Sequence, residues 1–149
     1  MTRSGFYAGT FDPFTIGHQS VVDRALELFD RVVIGIGLNA QKSPFETAQQ
    51  RLERIRAVYA HEPRVSVVTY DGLTADAARA AGCTHLLRGV RTALDFEYER
   101  AMADANRRIS GLETVLLYTL PELSYVSSSL VRDLASHHHD IQQFLPKQQ

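Results

Sequence analysis

Apolar positions along the chain follow two rhythms that alternate from one end to the other. Short apolar runs stand at Phe6–Ala8, Val32–Leu38, Val65–Tyr70, Thr84–Leu87 and Thr114–Tyr118. Val32 to Leu38 is continuous, as expected for a strand buried on both faces of a parallel sheet. Between the runs the spacing turns helical. Val21, Val22, Ala25, Leu26, Leu28 and Phe29 form the first such set, and Leu52, Ile55 and Tyr59 the second. The second opens on a capping box, Thr47-Ala48-Gln49-Gln50. Thr74 is expected to cap a short alanine-rich helix that Gly82 ends. A longer helix carries Leu94, Tyr98, Ala101, Met102 and Ala105 on one face, and a last one is marked by Leu130, Val131, Leu134 and Ala135. A short final segment carries Ile141, Phe144 and Leu145. This alternation predicts an α/β fold: a single doubly wound, parallel, five-stranded sheet with helices on both faces and right-handed crossovers. Ligands of such sheets bind beyond the carboxyl ends of the strands, where the strand order reverses.

The chemistry-bearing residues fall in that zone. Gly9-Thr10-Phe11-Asp12-Pro13 follows the first strand, and Thr15-Ile16-Gly17-His18 brings an imidazole to the start of the first helix. Helix-terminal amides there are unpaired and carry positive partial charge, which suits a phosphate. Thr10 and His18 can face the same anion. Lys42 lies after the second strand and can serve as a point charge for a second phosphate. Arg88-Gly89-Val90-Arg91 ends the fourth strand; arginine offers a planar fork for phosphate, and Gly89 leaves room against the backbone. Surface ion pairing with Asp95 or Glu97 is the competing role for these arginines. Ser127-Ser128-Ser129 begins the last helix, where hydroxyls and amides together can cradle an anion. Arg132 either adds charge there or is solvated.

Composition narrows the picture. The chain has 149 residues, enough for one domain spanning 1–149, with 44% hydrophobic and 22% charged residues. A formal net charge of −1 gives no global field toward nucleic acid or membrane, so an anionic ligand must be held by local convergence of cations. The single cysteine, Cys83, rules out an intrachain disulfide, fits a cytoplasmic setting and reads as packing at a strand start. No targeting segment is expected before the first strand, and the longest apolar run falls far short of the ~20 residues of a membrane span. His137-His138-His139 favours a helix C-terminus over a metal site, because adjacent histidines point in different directions.

The motifs Gly9-Thr10-Phe11-Asp12-Pro13 and Thr15-Ile16-Gly17-His18 resemble the signature of the nucleotidyltransferase superfamily related to class I aminoacyl-tRNA synthetases. Three further stretches narrow this to the phosphopantetheine adenylyltransferase family, which the chain resembles from Phe6 to Pro146. They are Arg88-Gly89-Val90-Arg91 with Asp95-Phe96-Glu97-Tyr98-Glu99, Tyr125-Val126-Ser127-Ser128-Ser129, and Asp140-Ile141 through Phe144-Leu145-Pro146. The resemblance implies a Rossmann-like nucleotidyltransferase fold. It also implies transfer of the adenylyl group of ATP to 4'-phosphopantetheine with Mg²⁺, giving dephospho-coenzyme A and pyrophosphate. Carried over by position, Thr10, Phe11, His18, Gly89, Val90, Arg91, Glu99 and the run Leu123, Ser124, Tyr125, Val126, Ser127, Ser128 and Ser129 would form the ATP site. Thr10, Lys42, Thr74 and Arg88 would hold the acceptor, and catalysis would fall to His18, Thr10, Lys42 and Arg88. The family implies a homohexamer and inhibition by coenzyme A. The sequence departs from the family at Ala8, where proline is frequent, at Leu123, where bulkier residues are frequent, and after Pro146, where a further helical stretch is usual.

Two other readings stand beside this one. A sister nucleotidyltransferase could use another acceptor, such as nicotinate mononucleotide or glycerol phosphate; the Asp95 to Glu99 segment argues against it. A regulatory module that only binds nucleotide would be expected to lose Thr10, His18, Lys42 or Arg88, and all four are present.

Overall fold

In the computed structural model, which describes residues 2–38 and 43–149, the five apolar runs form one parallel sheet. The strands are β1 (Ser4–Gly9), β2 (Arg31–Gly37), β3 (Val65–Tyr70), β4 (His85–Val90) and β5 (Glu113–Tyr118). Their spatial order is β3-β2-β1-β4-β5. The chain therefore builds outward from β1 to one side, then crosses back to lay β4 on the other. Pairing between β1 and β4 runs from Gly5–His85 to Tyr7–Leu87, whereas β1 continues to Gly9 and β4 to Val90. The unpaired strand ends flank a crevice at the point where strand order reverses, the place such sheets reserve for ligands.

Strand alternation sends side chains to two cores. On one face Tyr7, Ile34, Ile36 and Leu87 pack with Val21, Val22 and Ala25 of α1 (Ile16–Ala25) and Ile55 and Val58 of α2 (Ala48–Val58). On the other, Phe6, Val33 and Leu86 pack with Ala78 of α3 (Thr74–Ala80), Cys83 and Leu112. Gly35 makes room for this second core, since a Cβ there would lie 2.3 Å from the Phe6 ring. Burial raises the pKa of the Cys83 thiol, consistent with packing. A third cluster joins Val126, Val131, Phe144 and Leu145, seating α5 (Ser128–Ser136) beside Ile16 at the start of α1.

Two expectations need correction. The first helix stops at Ala25; the chain tightens into a turn that buries Phe29 and leaves Leu28 52% exposed. Thr74 is the first helical residue of α3 rather than its cap, and its hydroxyl bonds the Tyr70 hydroxyl at 2.8 Å. Besides these two, the apolar stripe of α4 (Ala93–Ser110), whose covering the sequence leaves open, does not face the core. Leu94 is 81%, Tyr98 64% and Ile109 62% exposed, while the residues that α4 buries are Glu99 and Ser110. The helix has turned a polar edge toward the crevice and its apolar side to solvent. No described helix is long and apolar enough to cross a membrane.

Candidate active site

Two adjoining cavities occupy the crevice. The first, about 490 Å³, is bounded by the Gly9–Phe11 loop, Gly17 and His18 of α1, Gly89 and Arg91 beyond β4, and Val126 to Ser129. The second, about 360 Å³, opens on the α3–α4 side between Tyr70, Thr74, Tyr98, Met102 and Asn106. Ala8, Gly9, Thr10, Arg88 and Glu99 line both, so they form a common wall.

The wall is an ion pair. The Arg88 Nε and Nη2 donate to the Glu99 carboxylate, at 2.7 Å for Nη2 to Oε1, and Nη1 donates to the Ala8 carbonyl. A guanidinium has five N–H groups, and this arrangement leaves one on each terminal nitrogen for a ligand. Burial disfavours the Arg88 charge, but the hydrogen bonds and charge of Glu99 more than offset it, and the pKa is raised. Glu99 therefore acts on the site through Arg88, whereas Arg91 faces Asp95 at 3.8 Å. The expected competitor role in ion pairing is thus real for Arg91, while the partner of Arg88 is neither Asp95 nor Glu97.

His18 owes its orientation to a capping box unseen in the sequence. Its Nδ1 accepts from the Thr15 backbone N–H at 2.9 Å, while the Thr15 hydroxyl accepts from the His18 N–H. Because a backbone N–H can only donate, Nδ1 is unprotonated and the proton of the neutral ring sits on Nε2. Phe14 stacks on the ring at 5.4 Å between centroids, and Phe11 meets it edge-on at 5.0 Å. Burial, followed by the charges of Arg88 and Arg91, lowers the His18 pKa to about 3. The site thus presents a neutral imidazole with one fixed donor.

The loop that carries Thr10 is tied from several directions. Asp12, 2% exposed, accepts from the Phe45 and Glu46 amides at 2.8 Å each. Arg51 donates to the Thr10 carbonyl, Arg132 to the Asp12 carbonyl and the Ser128 hydroxyl to the Pro13 carbonyl. Arg132 is therefore a structural clamp. The serine run divides its work: Ser127 caps α5 by accepting from the Leu130 N–H, and the Ser129 hydroxyl accepts from Arg132. The hydroxyl protons of Ser127 and Ser129 remain for a ligand.

Of the expected residues, Thr10, Phe11, His18, Gly89, Arg91, Glu99, Val126 and Ser127 to Ser129 converge on the first cavity, and Thr74 lines the second. Val90 is buried, and neither it nor Leu123, Ser124 and Tyr125 is on the lining of the first cavity. Lys42 is outside the described residues. Asp12, Arg51 and Tyr7 were missed: two are clamps whose partners are distant in sequence, and Tyr7 read as an ordinary strand residue. His137 caps α5, and its Nδ1 lies 2.9 Å from the Asp133 carbonyl.

Residues 6–134 match the cytidylyltransferase-like family. The chain is 51% identical over 145 residues to a phosphopantetheine adenylyltransferase from Bacteroides fragilis, covering 97% of each. A phosphopantetheine adenylyltransferase from Flavobacterium johnsoniae is 42% identical over 144 residues, 97% of this chain and 95% of that one. The chain belongs to the phosphopantetheine adenylyltransferase family. Membership in that family accounts for the paired cavities, since its reaction joins two phosphate-bearing substrates. Solved structures extend the likeness to the fold alone. A bifunctional NMN adenylyltransferase/ADP ribose pyrophosphatase from Francisella tularensis superposes with a TM-score of 0.76 at 13% identity, over 99% of this chain and 46% of that one. A putative nicotinate-nucleotide adenylyltransferase from Vibrio parahaemolyticus gives 0.64 at 16% identity, over 99% and 95%.

Proposed function

We propose that this chain transfers the adenylyl group of ATP to 4'-phosphopantetheine, releasing pyrophosphate and forming dephospho-coenzyme A for coenzyme A biosynthesis. The observation that carries the reading is the wall shared by the two cavities. Nucleotide in the first and acceptor in the second would bring their phosphates together beside Thr10 and Arg88. A phosphate monoester is largely dianionic near neutral pH, so it attacks without a protein base. The work of the protein is placement and charge stabilisation. The His18 Nε2–H donates to the α-phosphate oxygens as the bond to pyrophosphate breaks, and a neutral ring is sufficient for this. Arg88, held by Glu99, and Lys42 aim the acceptor phosphate for in-line attack. The Ser127 and Ser129 hydroxyls and the first amides of α5 face the triphosphate.

Mg²⁺ belongs to the substrate in this scheme. Among the described residues no group of three or more His, Cys, Asp or Glu could hold a metal. The nearby carboxylates are engaged: Asp12 by two amides, Asp95 by the Arg91 N–H and Glu99 by Arg88. The ion enters on the ATP phosphates, whose charge it neutralises. The exposed stripe of α4 supports a homohexamer, and a cleft that accommodates both reactants supports coenzyme A as an inhibitor; the setting is the cytoplasm. The deciding experiment incubates the protein with ATP, Mg²⁺ and either phosphopantetheine or nicotinate mononucleotide. Pyrophosphate release with the first and not the second is expected; comparable turnover on both, or only on the second, defeats the assignment.

A further inference from the structure

Tyr7 presents a group that packing does not explain. Its ring belongs to the α1-side core, edge-on to Phe11 at 5.1 Å between centroids, and a phenylalanine would fill that space equally well. The residue is 4% exposed and its hydroxyl makes no hydrogen bond to a described residue, yet the oxygen is not among the buried polar atoms left without a partner, and Tyr7 lines the first cavity. A hydroxyl that no protein group satisfies and that opens on a cavity is available to a ligand.

The register of the sheet places the hydroxyl. Tyr7 pairs with Leu87 across the β1–β4 boundary, and Gly89 lies two residues on, on the same face of β4. A Cβ at Gly89 would stand 3.8 Å from the Tyr7 oxygen and 3.0 Å from Val21. Gly89 is not among the glycines of positive φ, so the backbone does not require glycine there. Glycine spares a tight contact with Val21 and leaves the Tyr7 oxygen with no side chain of residue 89 against it, in the cavity that Tyr7 lines with His18, Gly89 and Arg91.

We propose that the Tyr7 hydroxyl is a further ligand-contacting group of the transfer site, a hydrogen-bond donor to the sugar–phosphate portion of the nucleotide where it passes over Gly89. The inference deepens the adenylyl-transfer reading and rests on its placing the nucleotide in this cavity. Burial, opposed by the charge of Arg88 and reinforced by that of Glu99, raises the phenol pKa, so the proton is present to be donated at any working pH. The ligand then completes the hydrogen bonding that the protein leaves unfilled.

The test is Tyr7→Phe, which removes only the oxygen. Four quantities are read: the thermal midpoint of the unliganded protein, the dissociation constants of ATP and of phosphopantetheine by calorimetry, and kcat/KM for Mg-ATP. The midpoint should not fall, because the hydroxyl has no hydrogen bond to a described residue to lose. ATP should bind at least fivefold more weakly and kcat/KM should fall at least as far, while phosphopantetheine binding stays within twofold of wild type. Unchanged ATP affinity overturns the proposal, and so does a lower midpoint, which would reveal a structural partner. Failure of the functional reading is distinguishable: the wild type would then not turn over phosphopantetheine, and ATP binding to the two proteins would still decide the role of the hydroxyl.

Discussion

Replacing His18 separates two jobs that the imidazole performs at once. Its Nδ1 closes the capping box of α1, and its Nε2–H faces the cleft. His18→Ala removes both. Loss of one transition-state donor typically costs ~10²–10³ in kcat, or about 3–4 kcal/mol. Loss of the reciprocal cap adds about 0.5–1 kcal/mol of instability, since the Thr15 cap itself remains. His18→Gln should keep much of each. The same protein already uses glutamine in this role at the head of α2, where the Gln50 Oε1 accepts from the Thr47 N–H at 2.9 Å. A glutamine at 18 can cap with its oxygen and present its amide N–H to the α-phosphate. Stability against pH provides a second reading. With the folded His18 pKa lowered to about 3, the unfolded chain binds a proton between roughly pH 6.5 and 3 that the folded chain refuses, so stability falls as pH falls through that window. At pH 5 the full effect is about 2 kcal/mol; water at the cleft edge of the ring trims it to about 1–2 kcal/mol. Urea unfolding at pH 7 and pH 5 should show wild type losing that much more than His18→Gln, and kcat should show no inflection near 6.5 from His18. Near-normal kcat in folded His18→Ala, or equal pH slopes for wild type and His18→Gln, would refute the reasoning.

Glu99→Ala should destabilise by about 1–3 kcal/mol in urea unfolding, because Arg88 loses its partner in a largely buried setting; KM for phosphopantetheine should rise as the guanidinium loses its aim. Lys42→Ala should mainly raise KM for phosphopantetheine with a smaller fall in kcat, since the phosphate it meets is charged before, during and after attack. Leu94→Glu, on the 81% exposed position of α4, should dissociate the assembly to smaller species in light scattering while the circular dichroism spectrum is kept. A wild type that scatters as a monomer at micromolar concentration would reject the hexamer.

The alternation of buried strand and amphipathic helix made the parallel sheet legible, and the punctuation at Gly9, Arg88 and Ser127 located the crevice. What escaped the sequence depended on tertiary partners. A capping box with histidine at its third position looks like a catalytic motif alone, because the nitrogen that caps the helix leaves the other free to face the cavity. Arg88 was expected as a phosphate ligand, and its pairing was not visible, since Glu99 lies eleven residues on and across from it. For α4 the hydrophobic spacing identified a stripe without saying what covers it.

The clamps on the Thr10–Pro13 loop also bear on the order of folding. They come from Arg51, from the amides at 45 and 46, and from Ser128 and Arg132, whose contacts span 115 and 120 residues of sequence. A chain emerging from synthesis could build β1, β2 and β3 early, yet the loop has its last two restraints only after α5 docks. Nucleotide affinity should therefore be a late-acquired property, gained when the final helix closes over a sheet already formed. Amide exchange in the loop should open together with α5, as one cooperative unit with the end of the chain rather than with its own strand.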